Sequence, residues 1–245
     1  MIVLLTDFGE SEYVGVMKGV IYNLVSGATI TDLTHSISPQ SVCEAAWVLL
    51  KSYRFFPKHT IFTCVVDPGV GTTRDAVLVE TPDYVFISPD NGLLSPTLDK
   101  CGQFKIYSLK ISSAASHTFH GRDVFAVAAG KYELGVDPKE LGSLKKDLEV
   151  SFSFYLEGRT GQIVRIDRFG NIITNLPPMQ SKLLRVEHGS TSLQLPFVDT
   201  YANGPSEGLF LVVGSYGTLE IAAQNNSATE LLPVAVGGRI TIVSV

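Results

Sequence analysis

Cysteine is scarce in this sequence: three residues, Cys43, Cys64 and Cys101, lie far apart in apolar segments. The count is odd and no CxxC pair occurs, which argues against a disulfide framework or a zinc ribbon and for reduced, buried thiols. Basic residues are not in excess either, 19 against 24 acidic ones for a net charge of −5, so a nucleic-acid-binding surface is not expected. No apolar run is long enough to span a bilayer, and Met1 leads straight into a strand instead of a signal peptide. The expected location is cytoplasmic. Internal repeats and low-complexity segments are missing too.

What is present is the composition of a well-packed protein, 45% hydrophobic and 18% charged over 245 residues, enough for one large domain or two smaller ones. Strand and helix alternate through the first half. Ile2–Leu5 reads as a buried strand; Val14, Met17, Ile21 and Leu24 recur at helical spacing; Ala28–Leu33 is a second strand and Val42–Tyr53 a second helix. Strands follow at 60–66, 75–80, 84–88 and 104–109, then a helix at 124–134. This alternation predicts a mostly parallel sheet with helices on both faces, an α/β/α sandwich. From about residue 135 the character changes. Lys145-Lys146-Asp147 reads as solvated, and short strand-like runs at 162–166, 172–174, 192–198, 209–213, 219–223 and 239–243 are punctuated by glycine, proline and asparagine. These predict a small antiparallel β-barrel or sandwich. The predicted domains are therefore 1–155 (α/β) and 156–245 (β-barrel).

In an open α/β sheet, ligands bind beyond the carboxyl ends of the strands. Three polar turns fall there: Asp7 after the first strand, Asp67-Pro68-Gly69 after the third, and Pro89-Asp90-Asn91-Gly92 after a later one. Each has a plain structural role. Asp7 as a helix N-cap is the better reading of that residue alone, and Asp67 as a turn former with Arg74 as a surface charge is the better reading of that stretch alone. Asp7 also offers a two-oxygen grip on a ribose diol. Ser116–Asp123, with His117 and His120, precedes the 124–134 helix. Asp123 on the helix dipole, paired to Arg122, accounts for part of it but gives no reason for two histidines. His35 fits a satisfied structural group. Asp167–Asn171, Ser215–Glu220 and Asn225–Ala228 read as turns.

Taken together, these motifs are specific. Thr6-Asp7-Phe8-Gly9, Tyr13-Val14-Gly15, Met17-Lys18-Gly19, Asp32-Leu33-Thr34-His35, Val66 to Gly71 and Pro89 to Gly92 resemble the S-adenosylmethionine hydroxide adenosyltransferases, hydrolytic relatives of the adenosyl fluorinases and chlorinases. Thr118 to Asp123, Phe169-Gly170-Asn171 and Ser215 to Glu220 continue the match in order over nearly the whole chain. The resemblance implies an N-terminal α/β domain, a C-terminal β-barrel, and a homotrimer whose substrate lies between one subunit's N-terminal domain and the next subunit's C-terminal domain. It implies that S-adenosylmethionine and water give adenosine and methionine, with no cofactor and no metal. On that pattern Asp67, Arg74 and His120 activate water and Asp7 binds ribose. Phe169, Asn171 and Tyr201 bind adenine, Asp167 and Ser215 hold the methionine end, and Glu220 completes the substrate set. Relative to the halogenases, a hydroxyl is missing at Val70 and a serine at Gly121, and Asp67 would repel an anion, which argues against a halogenase.

The residue types suit the chemistry. Attack at C5′ expels a neutral thioether, so the leaving group needs no acid; neutral water is the weak partner and needs a proton acceptor beside a cation. Asp67 and His120 are both candidate acceptors, with Arg74 the cation. Two other classes remain on sequence grounds: a metal-dependent phosphohydrolase using Asp7, Asp67, Asp90 or Asn91 and His120 as ligands, and a non-catalytic adenosine or S-adenosylmethionine sensor.

Overall fold

Strand β1 (Ile2–Thr6) is entirely buried, because a strand's side chains alternate and here both sides meet an apolar layer. In the computed structural model, which describes residues 1–245, Ile2 and Leu4 pack with Met17, Ile21 and Phe125 on one face. Val3 and Leu5 pack with Ala45, Val48 and Leu49 on the other. Each fully buried Leu, Ile or Phe contributes about 1.5–3 kcal/mol, so these two layers dominate the stability of this part. The chain divides into two units, Met1–Ser153 and Phe154–Val245.

The first unit follows β1 with α1 (Glu12–Leu24), β2 (Ile30–Thr34), α2 (Val42–Ser52), β3 (Ile61–Val65), β4 (Ala76–Glu80), β5 (Val85–Pro89), the short α3 (Ser95–Leu98), β6 (Lys105–Leu109), α4 (Ala126–Glu133), the short α5 (Pro138–Leu141) and β7 (Gly142–Lys145). The sheet order is β2-β1-β3-β5-β4-β6-β7. The first four strands in that order are parallel, and β4, β6 and β7 continue the sheet antiparallel. Helices α1 and α4 cover one face and α2 the other, the expected α/β/α layering. The expected helix at 124–134 opens with a π-helical turn at Gly121–Phe125 before α4 begins.

One correction concerns β7. Lys145 is not solvated: its side chain is mostly buried, with Nζ 2.6 Å from Asp75 Oδ2, 2.9 Å from Asp90 Oδ2 and 3.2 Å from Glu149 Oε1. Strand β7 pairs antiparallel with β6, and Gly142 lies so close to it that a Cβ there would sit 2.2 Å from the Ser108 carbonyl oxygen.

The second unit contains β8 (Thr160–Ile166), β9 (Ile172–Thr174), β10 (Leu183–His188), β11 (Thr191–Pro196), β12 (Leu209–Val213), β13 (Leu219–Ala223), the short α6 (Ala228–Leu231) and β14 (Arg239–Ser244). They form an antiparallel sheet in the order β11-β10-β14-β8-β9-β13-β12. A bridge between Phe197 and Leu211 brings the two edges together into a nearly closed barrel. Alternation fills it: Leu184 and Val186 of β10, Leu209 and Leu211 of β12, Ile240 and Ile242 of β14 point inward. Strand β10 was absent from the expected set although Leu184 and Val186 alternate with Arg185 and Glu187.

Candidate functional site

In the parallel part of the first unit, the loops leaving β1 and β3 sit side by side. Asp67 follows β3, and Arg74 folds back onto it within the same loop. The guanidinium Nε donates to Asp67 Oδ1 at 3.0 Å, and Nη2 pairs with Oδ2 in a two-pronged contact. The same Nη2 also donates to His120 Nδ1 at 2.9 Å. Carboxylate, guanidinium and imidazole thus form one continuous chain, and the reading of Arg74 as an ordinary surface charge fails. Both members of the pair are buried, with side-chain exposures of 10% for Arg74 and 6% for Asp67. The guanidinium also lies over the Phe125 ring, 5.4 Å from its centroid. Its Nη1 is buried without a partner in the chain, a donor left over for an incoming oxygen.

Two backbone features hold this loop. Gly71 takes a φ of +76°, and a Cβ there would fall 2.2 Å from the His117 carbonyl oxygen, so the 67–74 loop crosses directly against the segment that carries His120. Asn91 Nδ2 donates to the Val66 carbonyl at 2.8 Å, pinning the residue before Asp67. Sequence reasoning had placed Asn91 among candidate ligands and missed this role.

The tautomer of His120 follows from its neighbour. An arginine has only donors, so Nδ1 must accept and the ring proton resides on Nε2. Burial, and then the adjacent Arg74 cation, hold His120 below the ordinary imidazole value, against the opposing pull of Asp67.

A cavity of about 360 Å³ opens beside this chain, lined among others by Asp7, Asp67, Val70, His120 and Gly121. Asp7 does not cap α1; the N-cap is Ser11. Its Oδ2 accepts instead from the Gln40 backbone at 2.7 Å, which turns the carboxylate toward the cavity. Phe8, Tyr13 and Phe119 form an edge-to-face cluster along the wall, with centroids 4.9 to 6.1 Å apart. Val70 and Gly121 offer no hydroxyl to it.

The second unit has its own cavity, about 560 Å³, lined by Asp167, Phe169, Asn171, Tyr201 and the amides Asn225 and Asn226. Asp167 builds the turn that presents Phe169. Its Oδ1 accepts from the backbone of Phe169 (2.8 Å) and Asn171 (2.9 Å), and its Oδ2 accepts from Asn171 Nδ2 at 2.9 Å. Phe169 is left 71% exposed. Tyr201 donates its hydroxyl to Glu220 Oε2 at 2.7 Å. Glu220 is buried, and burial pushes its carboxyl upward, with Asp167 adding to the rise and Tyr201 opposing it. Glu220 and Ser215 are not among the residues lining this cavity; Ser215 sits exposed in the β12–β13 turn.

The ligand set of the phosphohydrolase reading does not assemble. Asp67 is taken by Arg74, Asp90 by Lys145 and the Glu149 amide, and Asn91 by Val66 and the Leu93 amide. The acids that do converge are Asp75, Asp90 and Glu149, and the Lys145 ammonium sits among them.

Residues 2–142 match the model of the SAM hydroxide adenosyltransferase N-terminal domain, and residues 161–241 match that of the C-terminal domain. The chain is 33% identical to the (R)-S-adenosyl-L-methionine hydrolase of Methanocaldococcus jannaschii, over 96% of this chain and 92% of that one. It is 34% identical to the hydrolase of the same name from Thermus thermophilus, covering 95% of each. A fluorinase from an Actinoplanes species is more distant, at 25% identity over 99% of this chain and 96% of that one. Among solved structures, an uncharacterized conserved protein from Thermotoga maritima superposes with a TM-score of 0.90 at 33% identity, covering 99% of this chain and all of that one.

Proposed function

Since the chain belongs to the SAM hydroxide adenosyltransferase family, we propose that it hydrolyses S-adenosylmethionine at C5′ of the ribose, giving adenosine and methionine. The observation that carries this reading is the Asp67–Arg74–His120 chain at the edge of a cavity that also receives Asp7. Water enters against the unpartnered Nη1 of Arg74 and gives its proton to Asp67. The new bond forms from its oxygen to C5′, and the C5′–S electron pair returns to sulfur, leaving a neutral thioether. Asp67 is the acceptor in this scheme, because Arg74 occupies His120 Nδ1 and Nε2 carries a proton. His120 holds the guanidinium in place. Two faces of the carboxylate are thereby fixed before substrate arrives, a positioning gain that neutral water needs most. No metal or cofactor takes part.

Asp7 grips the ribose hydroxyls, while Phe169, Asn171 and Tyr201 receive the adenine and Asp167 and Ser215 the methionine end. The active assembly is a homotrimer in the cytoplasm, with the first unit of one subunit completing its site against the second unit of the next. The relatives named as hydrolases act, by name, on the (R)-sulfonium epimer, and the same preference is assigned to this chain.

Incubation with sulfonium-racemised S-adenosylmethionine in ¹⁸O water tests the scheme. Expected are adenosine labelled at its 5′ oxygen, faster loss of the (R) epimer and no effect of EDTA. Unlabelled adenosine, or none, would sink the reaction. Binding without turnover would leave a sensor.

A further inference from the structure

We propose that His35 is a positioning residue for Asp7, acting through the hydroxyl of Thr6. This deepens the hydrolase reading and rests on it, since Asp7 matters as the ribose-binding acid. Thr6 is the last residue of β1, fully buried, and Asp7 follows it directly. Its Oγ1 accepts from the Phe8 backbone at 3.2 Å, closing a small turn over Asp7. The same Oγ1 lies 2.9 Å from His35 Nδ1. With the oxygen accepting from Phe8, the hydroxyl proton points to Nδ1, and the ring proton of His35 is then on Nε2. That nitrogen lies 3.0 Å from Asp32 Oδ1, off the line a hydrogen bond needs. Lys18 of α1 holds the other Asp32 oxygen at 2.6 Å.

The contacts run in series from Lys18 to Asp32, His35, Thr6 and the Phe8 amide. The His35 carbonyl also accepts from Gly9 N at 2.8 Å, so one residue fixes both ends of the segment 6–9. A β-branched side chain has few rotamers, and the imidazole selects the one that shapes the turn. Asp7 then spends Oδ2 on the Gln40 amide and keeps Oδ1 for a ligand.

Asparagine and glutamine separate the two ring nitrogens, because asparagine places its oxygen near the Nδ1 site and glutamine reaches the Nε2 site. Calorimetry with adenosine and steady-state kinetics with S-adenosylmethionine are the readouts. Expected are a KM and an adenosine Kd about tenfold higher in His35→Gln and Thr6→Val, the loss of one well-made hydrogen bond. The value of kcat should stay within about twofold, because the grip is made equally in ground and transition states. His35→Asn and Thr6→Ser should stay near wild type. Equal effects of Asn and Gln at 35, or wild-type affinity in folded Thr6→Val, overturn the proposal. So does failure of both His35→Gln and Thr6→Val to fold, which would mark a purely structural network. Wild-type protein that neither binds adenosine nor turns over substrate sinks the hydrolase reading instead.

Discussion

The cavities of the two units are built in opposite ways. In the first, charged groups are buried and over-determined: Asp67 is held by two guanidinium contacts, its loop by the Asn91 amide and by a glycine crossing. In the second, an aromatic ring stands 71% exposed on a turn shaped by Asp167, among side-chain amides. Groups that must stabilise a developing charge need a fixed, dry setting, where electrostatics are strong and nothing reorganises. A planar base asks only for a face to stack on and a few amide partners. The contrast predicts that changes in the Asp67–Arg74–His120 chain strike kcat and changes in the second unit's cavity strike KM.

The largest expected effect tests the first half of that statement. Asp67→Asn keeps the shape of the side chain but removes the proposed proton acceptor, so kcat should fall by about 10³-fold, with adenosine affinity little changed. Quench-flow product analysis beside calorimetry measures both, and a kcat within tenfold of wild type would take Asp67 out of the chemistry. Losing one charge of a buried pair also costs about 3–5 kcal/mol, so a thermal melt must accompany the assay.

Next in size is Phe169→Ala. Loss of a stacking face worth about 1–3 kcal/mol should raise KM about tenfold or more while saturated kcat holds within about threefold. A drop in kcat matching the change in KM would erase the distinction between the units.

The smallest effect concerns pH. His120 is held below the ordinary imidazole value by burial and Arg74. A proton on Nδ1 would confront the guanidinium and break the chain, so the acid limb of kcat/KM should lie below about pH 6.5. Stability has the same sign. The unfolded chain takes up this proton first, so the folded state loses ground as pH falls from about 6.5 toward the lowered value. An acid limb above pH 7 in the wild type, unchanged in His120→Gln, would assign the titration to another group.

Part of this site is legible in the sequence alone. Helix α1 follows from Val14, Met17 and Ile21, and the layered first half from its alternating strands. What escaped were long-range captures. Lys145 looks like one charge of a solvated run until β7 carries it to Asp75 and Asp90, which are 70 and 55 positions away. Asp7 opens what looks like a helix start, yet its partner is the amide of residue 40. Asn91 serves a carbonyl 25 positions earlier. Such pairings depend on sheet order, which local propensity does not contain. Strand β10 is a different case: its alternating pattern is visible, but its charged outward residues resemble loop.

The tight passage of residue 71 beneath the His117 carbonyl has a mechanical consequence. It couples the stretch bearing the acid to the stretch bearing the imidazole, so that one cannot swing without dragging the other. A single added methyl, Gly71→Ala, would act as a wedge between them and open the gap that the guanidinium spans.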